Sequence, residues 1–193
     1  MKILAICNQK GGVGKTTTAI NLAASLAHLK KKVLLIDTDP QANATSGVGV
    51  DKATVEQSVY DILVDEVDIN DVITKTAYEN LDIVPSSIAL AGAEVELVSA
   101  ISREQRLKNA ISEVSGKYDY IIIDTPPIGA VIDAAIIAKK CDGFITVVEV
   151  NKVKKKALER AKDQLEKAGS KFLGVILNKV EERDLGYGGY GSY

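Results

Sequence analysis

The sequence predicts an α/β fold, doubly wound around a mostly parallel sheet. Three observations carry that prediction. Short runs of Ile, Val and Leu, several of them apolar at consecutive positions, recur along the chain, as in strands buried on both faces. Longer amphipathic stretches alternate with them, the order of strand–helix units. A glycine-rich segment joins the first run to the first amphipathic stretch, the place where such folds bind phosphate.

The first strand is expected at residues 3–7. A helix follows the glycine-rich segment, with Leu22, Leu26 and Leu29 at spacings of four and three. His28, the only histidine, stands near its end and reads as structural. Residues 33–36 form the second strand, and residues 41–54 read as a polar loop with Gly47 and Gly49. A third strand lies at 81–84. Leu107, Ala110, Ile111 and Val114 mark the next helix, and Ser102 with Gln105 resembles a capping box opening it. Strands at 120–123, 144–150 and 172–177 complete the sheet. Leu158, Ala161, Leu165 and Ala168 predict a helix before the last of these, closed by Gly169. Lys152, Lys154, Lys155 and Lys156 cluster at its start. Cations there oppose the helix dipole, and they read as a solvated face. Residues 186–193 hold glycines, tyrosines and one serine without an aliphatic side chain. Such a segment cannot bury enough surface to offset its ordering entropy. The expected organisation is one domain over 1–185 and a flexible tail over 186–193.

Composition narrows the function. With 46% hydrophobic and 26% charged residues, the chain has the balance of a soluble globular protein, not of a disordered or collagen-like one. A net charge of −2 provides no overall basic field for nucleic acid, so such a contact needs a local patch. Cys7 and Cys141 are far apart and form no C-x-x-C pair, which reads as a reduced, cytoplasmic chain. The first apolar run is too short for a signal peptide. The longest apolar stretch, 130–138, is interrupted by Asp133 and is well short of the ~20 residues of a membrane span. Membrane contact is therefore expected only peripherally.

The strongest motif is Lys10-Gly11-Gly12-Val13-Gly14-Lys15-Thr16. Small residues let backbone N–H groups turn inward around phosphate oxygens, and the following helix points its positive end at the same anion. Gly11, Gly12, Val13, Gly14, Lys15, Thr16 and Thr17 are the candidate nucleotide-binding residues. Lys15 would reach the β- and γ-phosphates, and the Thr16 hydroxyl would bind Mg²⁺. The match to G-x-x-x-x-G-K-[ST] departs at one point. Gln9 occupies the first glycine position, and an extra lysine, Lys10, follows it.

Acidic residues follow two of the apolar runs. Asp37 and Asp39 come after 33–36, and Asp124 with Thr125 after 120–123. Carboxylates at the C-terminal ends of parallel strands sit at the ligand-binding edge of such sheets, and Mg²⁺ takes hard oxygen ligands. Asp124 is the natural metal-supporting acid. Asp37 and Asp39 would orient the attacking nucleophile or support the metal. The candidate catalytic set is Lys10, Lys15, Asp37, Asp39 and Asp124, and the candidate metal set is Thr16, Asp39 and Asp124.

Residues 1 to about 123 resemble the chromosome- and plasmid-partitioning ATPases of the ParA/Soj type, the deviant Walker (ParA/MinD) class of P-loop NTPases. The resemblance rests on residues 8–18, on 37–47 (Asp-Thr-Asp-Pro-Gln-Ala-Asn-Ala-Thr-Ser-Gly) and on 85–97. It implies ATP and Mg²⁺ as ligands. It also implies a nucleotide-dependent homodimer in which Lys10 crosses to the partner's phosphates, and a link between Asp39 and hydrolysis. From Asp124 onward the chain is instead similar to the bacterial tyrosine kinases of capsule and exopolysaccharide synthesis. Asp124-Thr125-Pro126-Pro127-Ile128-Gly129, residues 131–137, 140–142 and 164–180 carry that likeness. Both resemblances place an adenine-contacting residue near Asn178, whose amide suits a purine edge. Together they imply a chimera joined near the strand that bears Asp124, without the DNA-binding C-terminal part of a ParA protein.

Three functions follow from these resemblances. The first is a slowly hydrolysing Mg-ATP switch that dimerises around nucleotide, with nucleic-acid contact weakened by the absent C-terminal part. The second is a protein tyrosine autokinase with a peripheral membrane partner. There Asp37 would accept a tyrosine hydroxyl proton, with Tyr187, Tyr190 or Tyr193 as acceptor. The third is an engineered scaffold that binds nucleotide without physiological activity.

Overall fold

Seven strands form one sheet in a computed structural model that describes residues 1–8, 10–97, 103–127, 141–150 and 171–180, together with 159, 162, 163, 166 and 169. They are β1 (Lys2–Cys7), β2 (Val33–Asp37), β3 (Thr74–Lys75), β4 (Leu81–Val84), β5 (Tyr120–Asp124), β6 (Gly143–Glu149) and β7 (Phe172–Asn178). Their order is β3-β4-β2-β5-β1-β6-β7. Every neighbouring pair is parallel except β3 with β4. All six predicted strands are present. The two-residue β3 is too short to leave a periodic signal, and it forms only by pairing Thr74 and Lys75 with Ile83 and Asp82.

The central strands are apolar on both faces because both faces are covered. Ala5, Cys7, Leu34, Ile36, Ile121 and Ile123 belong to one core cluster. Ile6, Val33, Leu35, Leu81, Ile83 and Ile122 belong to the other. The period of two assigns alternate residues to alternate clusters. By the same alternation Asp37 and Asp124, paired in register at the ends of β2 and β5, fall on the side of Leu35 and Ile122.

That second side is covered by α1 (Lys15–His28). Its buried residues are Lys15, Ala19, Ala23 and Ala27. The leucine stripe read from the sequence is therefore not the core face. Leu22 and Leu26 are half-buried, and Leu29 is 68% exposed. Small side chains let the helix axis approach the sheet closely, and the leucines flank that contact.

The loop expected at 41–54 contains two helical turns, α2 (Asn43–Gly47) and a 3₁₀ turn at Lys52–Thr54. The polar composition concealed that Ala44 and Thr45 are fully buried. The opposite face is closed by α3 (Val59–Val64), α4 (Ile69–Val72), a 3₁₀ segment at Ile88–Gly92, α5 (Ala93–Leu97) and α6 (Arg103–Glu113). Ser58 and Asp61 form a capping box at the start of α3, an N-terminal signal legible in the sequence.

Ser102, Asp133, the Lys152–Lys156 cluster, Leu158, Ala161, Leu165, Ala168 and the tail tyrosines lie outside the described residues. Gly169 has φ 92°, the left-handed geometry a helix-closing glycine supplies. Cys7 and Cys141 form no disulfide among the described residues, and burial pushes the Cys7 pKa up to about 11. Among the described residues no helix is long and apolar enough to cross a membrane.

Candidate nucleotide site

The glycine-rich loop leaves the end of β1 and turns into α1 at Gly14. Gly14 has φ 99° and ψ 21°, a conformation that costs an L-residue about 1–2 kcal/mol. A Cβ there would also collide with the amide nitrogen of Asn178. Both facts require glycine. Gly14→Ala is expected to lower Tm by roughly 2–8 °C and to weaken nucleotide binding. An unchanged calorimetric Tm would show that the loop tolerates a side chain.

Side chains from three elements hold the loop. The Asn178 amide nitrogen, at the end of β7, donates to the Val13 carbonyl at 2.9 Å. Its amide oxygen accepts from the Lys179 N–H, also at 2.9 Å. Buried Asn8 donates its side-chain amide to the carbonyl of Val147 on β6 and accepts from the Lys10 N–H at 3.1 Å. Within α1, the Thr18 hydroxyl donates to the Gly14 carbonyl at 2.8 Å. The two resemblances imply a purine-contacting role for Asn178, and in the structure its amide also anchors the phosphate loop. Asn8 was not read as a site residue. Its position directly after a buried strand and before the loop was the available signal.

Lys15 is 6% exposed, and its ammonium donates to the Lys10 carbonyl at 3.2 Å across the loop. Burial lowers its pKa, and the carboxylates of Asp124 and Asp39 oppose that shift. Lys10 itself is exposed, as are Gly11, Gly12 and Thr17, while Val13 is buried and Thr16 half-buried. The first turn of α1 contains no acidic residue, and Gly14 supplies no side-chain cap. A helix start without acid or cap presents its N–H groups and positive dipole end to an anion. Beside it, between α1 and β7, runs a cleft of about 350 Å³ lined by Gly14, Thr17, Asn21, Ile176 and Asn178.

The three acids differ sharply. Asp37 is fully buried and its carboxylate is occupied. Oδ1 accepts from the Asp39 N–H at 3.1 Å. Oδ2 accepts from the Thr45 N–H at 2.9 Å and the Thr45 hydroxyl at 2.8 Å. Burial raises the Asp37 pKa against these bonds. Asp39 is half-buried beyond the strand end, and its Oδ1 accepts from the Gln41 N–H at 2.9 Å. Asp124 is fully buried, and neither carboxylate oxygen has a hydrogen-bond partner of normal geometry. Burial, reinforced by the charge of Asp37, pushes its pKa up to about 7, while the Thr16 hydroxyl and Lys15 pull it down.

An orphaned buried carboxylate beside a threonine hydroxyl is the hard oxygen donor set that Mg²⁺ accepts. Among the described residues no three His, Cys, Asp or Glu side chains cluster as a metal cage.

Comparison with known proteins agrees with this architecture. A family model described as an AAA domain matches residues 1–172. The tyrosine-protein kinase CpsD of Streptococcus agalactiae is 43% identical over 192 residues, covering 100% of this chain and 81% of the relative. The chain belongs to the ParA/MinD-like family of P-loop ATPases. The sporulation initiation inhibitor protein Soj of Bacillus subtilis is 65% identical over 126 residues, 65% of this chain. The chain spans only 50% of Soj's length. Among solved structures, cobyrinic acid a,c-diamide synthase from Mycobacterium smegmatis, with bound ATP analog and magnesium, superposes with a TM-score of 0.83. It is 30% identical, over 92% of this chain and 74% of that one. The predicted doubly wound, mostly parallel P-loop fold is thus the observed one. The kinase likeness runs through the whole chain, not only the part after Asp124.

Proposed function

We propose that this chain is an ATP-dependent switch that binds Mg-ATP, hydrolyses it slowly and dimerises around the nucleotide. The observation that carries the reading is the pairing of buried Lys15 and the uncapped start of α1 with the unpartnered carboxylate of Asp124. The first two provide for an anion, and the third for the cation that accompanies it. The loop amides and Lys15 bind phosphate, and Thr16 and Asp124 hold Mg²⁺. When bound, the metal neutralises charge on the phosphate oxygens. Asp39 orients the attacking water with the carboxylate oxygen that Gln41 does not engage. The cleft between α1 and β7 is assigned to the base.

Exposed Lys10 is assigned to the partner's phosphates, a role that acts only when two subunits face each other. Lys10→Ala is therefore expected to retain ATP binding by calorimetry and to lose ATP-dependent dimers in light scattering. A wild-type chain that stays monomeric with Mg-ATP would remove the dimer from the reading.

Tyrosine autokinase activity is the second reading, supported by the whole-chain likeness to CpsD. The higher identity to Soj over part of the chain supports a mosaic origin. Incubation of pure protein with Mg-ATP, followed by phosphate release and intact mass, separates the two readings. The switch releases phosphate and keeps its mass. A species heavier by one phosphoryl group, carried on a tail tyrosine, would establish the kinase.

A further inference from the structure

We propose that Thr45 is a positioning residue for ATP hydrolysis and that Asp37 is the anchor it fixes, not a proton acceptor. The inference rests on the ATPase reading above and gives that site one further residue.

The bonds form a closed set. The Thr45 hydroxyl donates to Asp37 Oδ2 at 2.8 Å and accepts from the Ser86 N–H, just beyond β4, at 3.0 Å. Thr45 N–H adds a second bond to the same carboxylate oxygen. The other oxygen takes the Asp39 N–H. A carboxylate offers about four lone-pair sites, and three of those on Asp37 are filled by its own loop. The side chain is also fully buried. A proton acceptor must touch the hydroxyl or water it deprotonates, and both oxygens of Asp37, unlike those of Asp124, are already engaged by its own loop.

The bonds instead fix the turn that carries Asp39. Thr38 is clamped to β5, its N–H and hydroxyl both donating to the Asp124 carbonyl at 3.0 Å and 2.7 Å. The next N–H, that of Asp39, is held by Asp37. Asp37 is held by Thr45, and Thr45 is tied to β4 through Ser86. The direction of the Asp39 carboxylate therefore depends on a hydroxyl six residues away in sequence. Aligning a nucleophile is worth large factors in rate, and small misplacement forfeits them.

The test compares Thr45→Val, which keeps shape and loses the hydroxyl, with Thr45→Ser, which keeps it. Thr45→Val is expected to lower kcat for ATP hydrolysis about 10-fold or more while ATP Kd changes less than about 3-fold. Thr45→Ser recovers kcat. In an Asp39→Ala background Thr45→Val has no further effect, because it acts through Asp39. Amide exchange at Asp39 and Ser86 accelerates in Thr45→Val and not in Thr45→Ser. Should Thr45→Val not fold, Thr45→Cys, a weaker donor, takes its place. Unchanged kcat in Thr45→Val, additive losses with Asp39→Ala, or unchanged exchange at Asp39 each overturn the proposal. A wild-type chain that does not turn over ATP defeats the ATPase reading instead, and the exchange measurement then decides by itself whether Thr45 holds the turn.

Discussion

Lys15→Ala lowers ATP affinity at least ~10-fold in calorimetry, the loss of one or more charge-assisted hydrogen bonds of about 1.5–3 kcal/mol each. The reason is geometric. The ammonium is buried beneath the loop and donates to the Lys10 carbonyl across it. It is therefore already in place, and little ordering cost remains when an anion arrives. The loss does not come from unfolding. Burial disfavours this cation, so its removal relieves desolvation as it removes attraction to Asp124 and Asp39. Circular dichroism should show a folded variant. Lys15→Arg should not restore binding, since a planar guanidinium does not fit a space shaped for a point charge. Unchanged affinity in Lys15→Ala would remove the phosphate-loop assignment.

The same loop shows where sequence reasoning was strong. Strand, glycines, Lys15-Thr16 and helix are local and consecutive, so their context could be read directly. The central strands were legible because burial on two faces leaves unbroken apolar runs, as at Ile121, Ile122 and Ile123. The positions of Asp37 and Asp124 followed from the ends of those runs. Their difference did not. Asp37 takes two of its hydrogen bonds from Thr45, eight residues on, inside a segment whose polar composition read as a loop. Asp124 is left unpartnered by the register of three strands and the approach of α1. Both states are set by tertiary contacts. The bond from Asn178 to Val13 spans most of the chain and has no local signal. The short helices between residues 54 and 102 were missed for a related reason. Each is about one or two turns long, too short for a 3.6-residue period to establish itself, and each is stabilised by packing rather than by propensity.

Asp124→Asn should change how stability depends on pH, and should separate that change from metal binding. In the folded protein burial, reinforced by the charge of Asp37, pushes the Asp124 pKa from the ordinary carboxylate range up to about 7. A carboxyl whose folded pKa is raised binds more protons in the folded state than in the unfolded one. Its favourable contribution is complete below about pH 4 and is lost as pH rises through about 7. The full difference is on the order of 4 kcal/mol. Without nucleotide or metal, wild-type Tm is therefore expected to fall between pH 4 and 7. The asparagine variant has no charge at this position to desolvate, so the difference between variant and wild-type Tm should grow across the same window. Asp37, also raised by burial, leaves a residual slope of the same sign in both proteins. Mg-ATP reverses the ranking. On the proposed reading the ionised carboxylate that burdens the fold is the one that holds the metal, so Mg²⁺ should raise wild-type Tm in the presence of ATP and leave the variant nearly unmoved. Parallel Tm curves for the two proteins from pH 4 to 7 would show that Asp124 is not the strained acid. Equal stabilisation of both by Mg-ATP would show that it does not hold the metal.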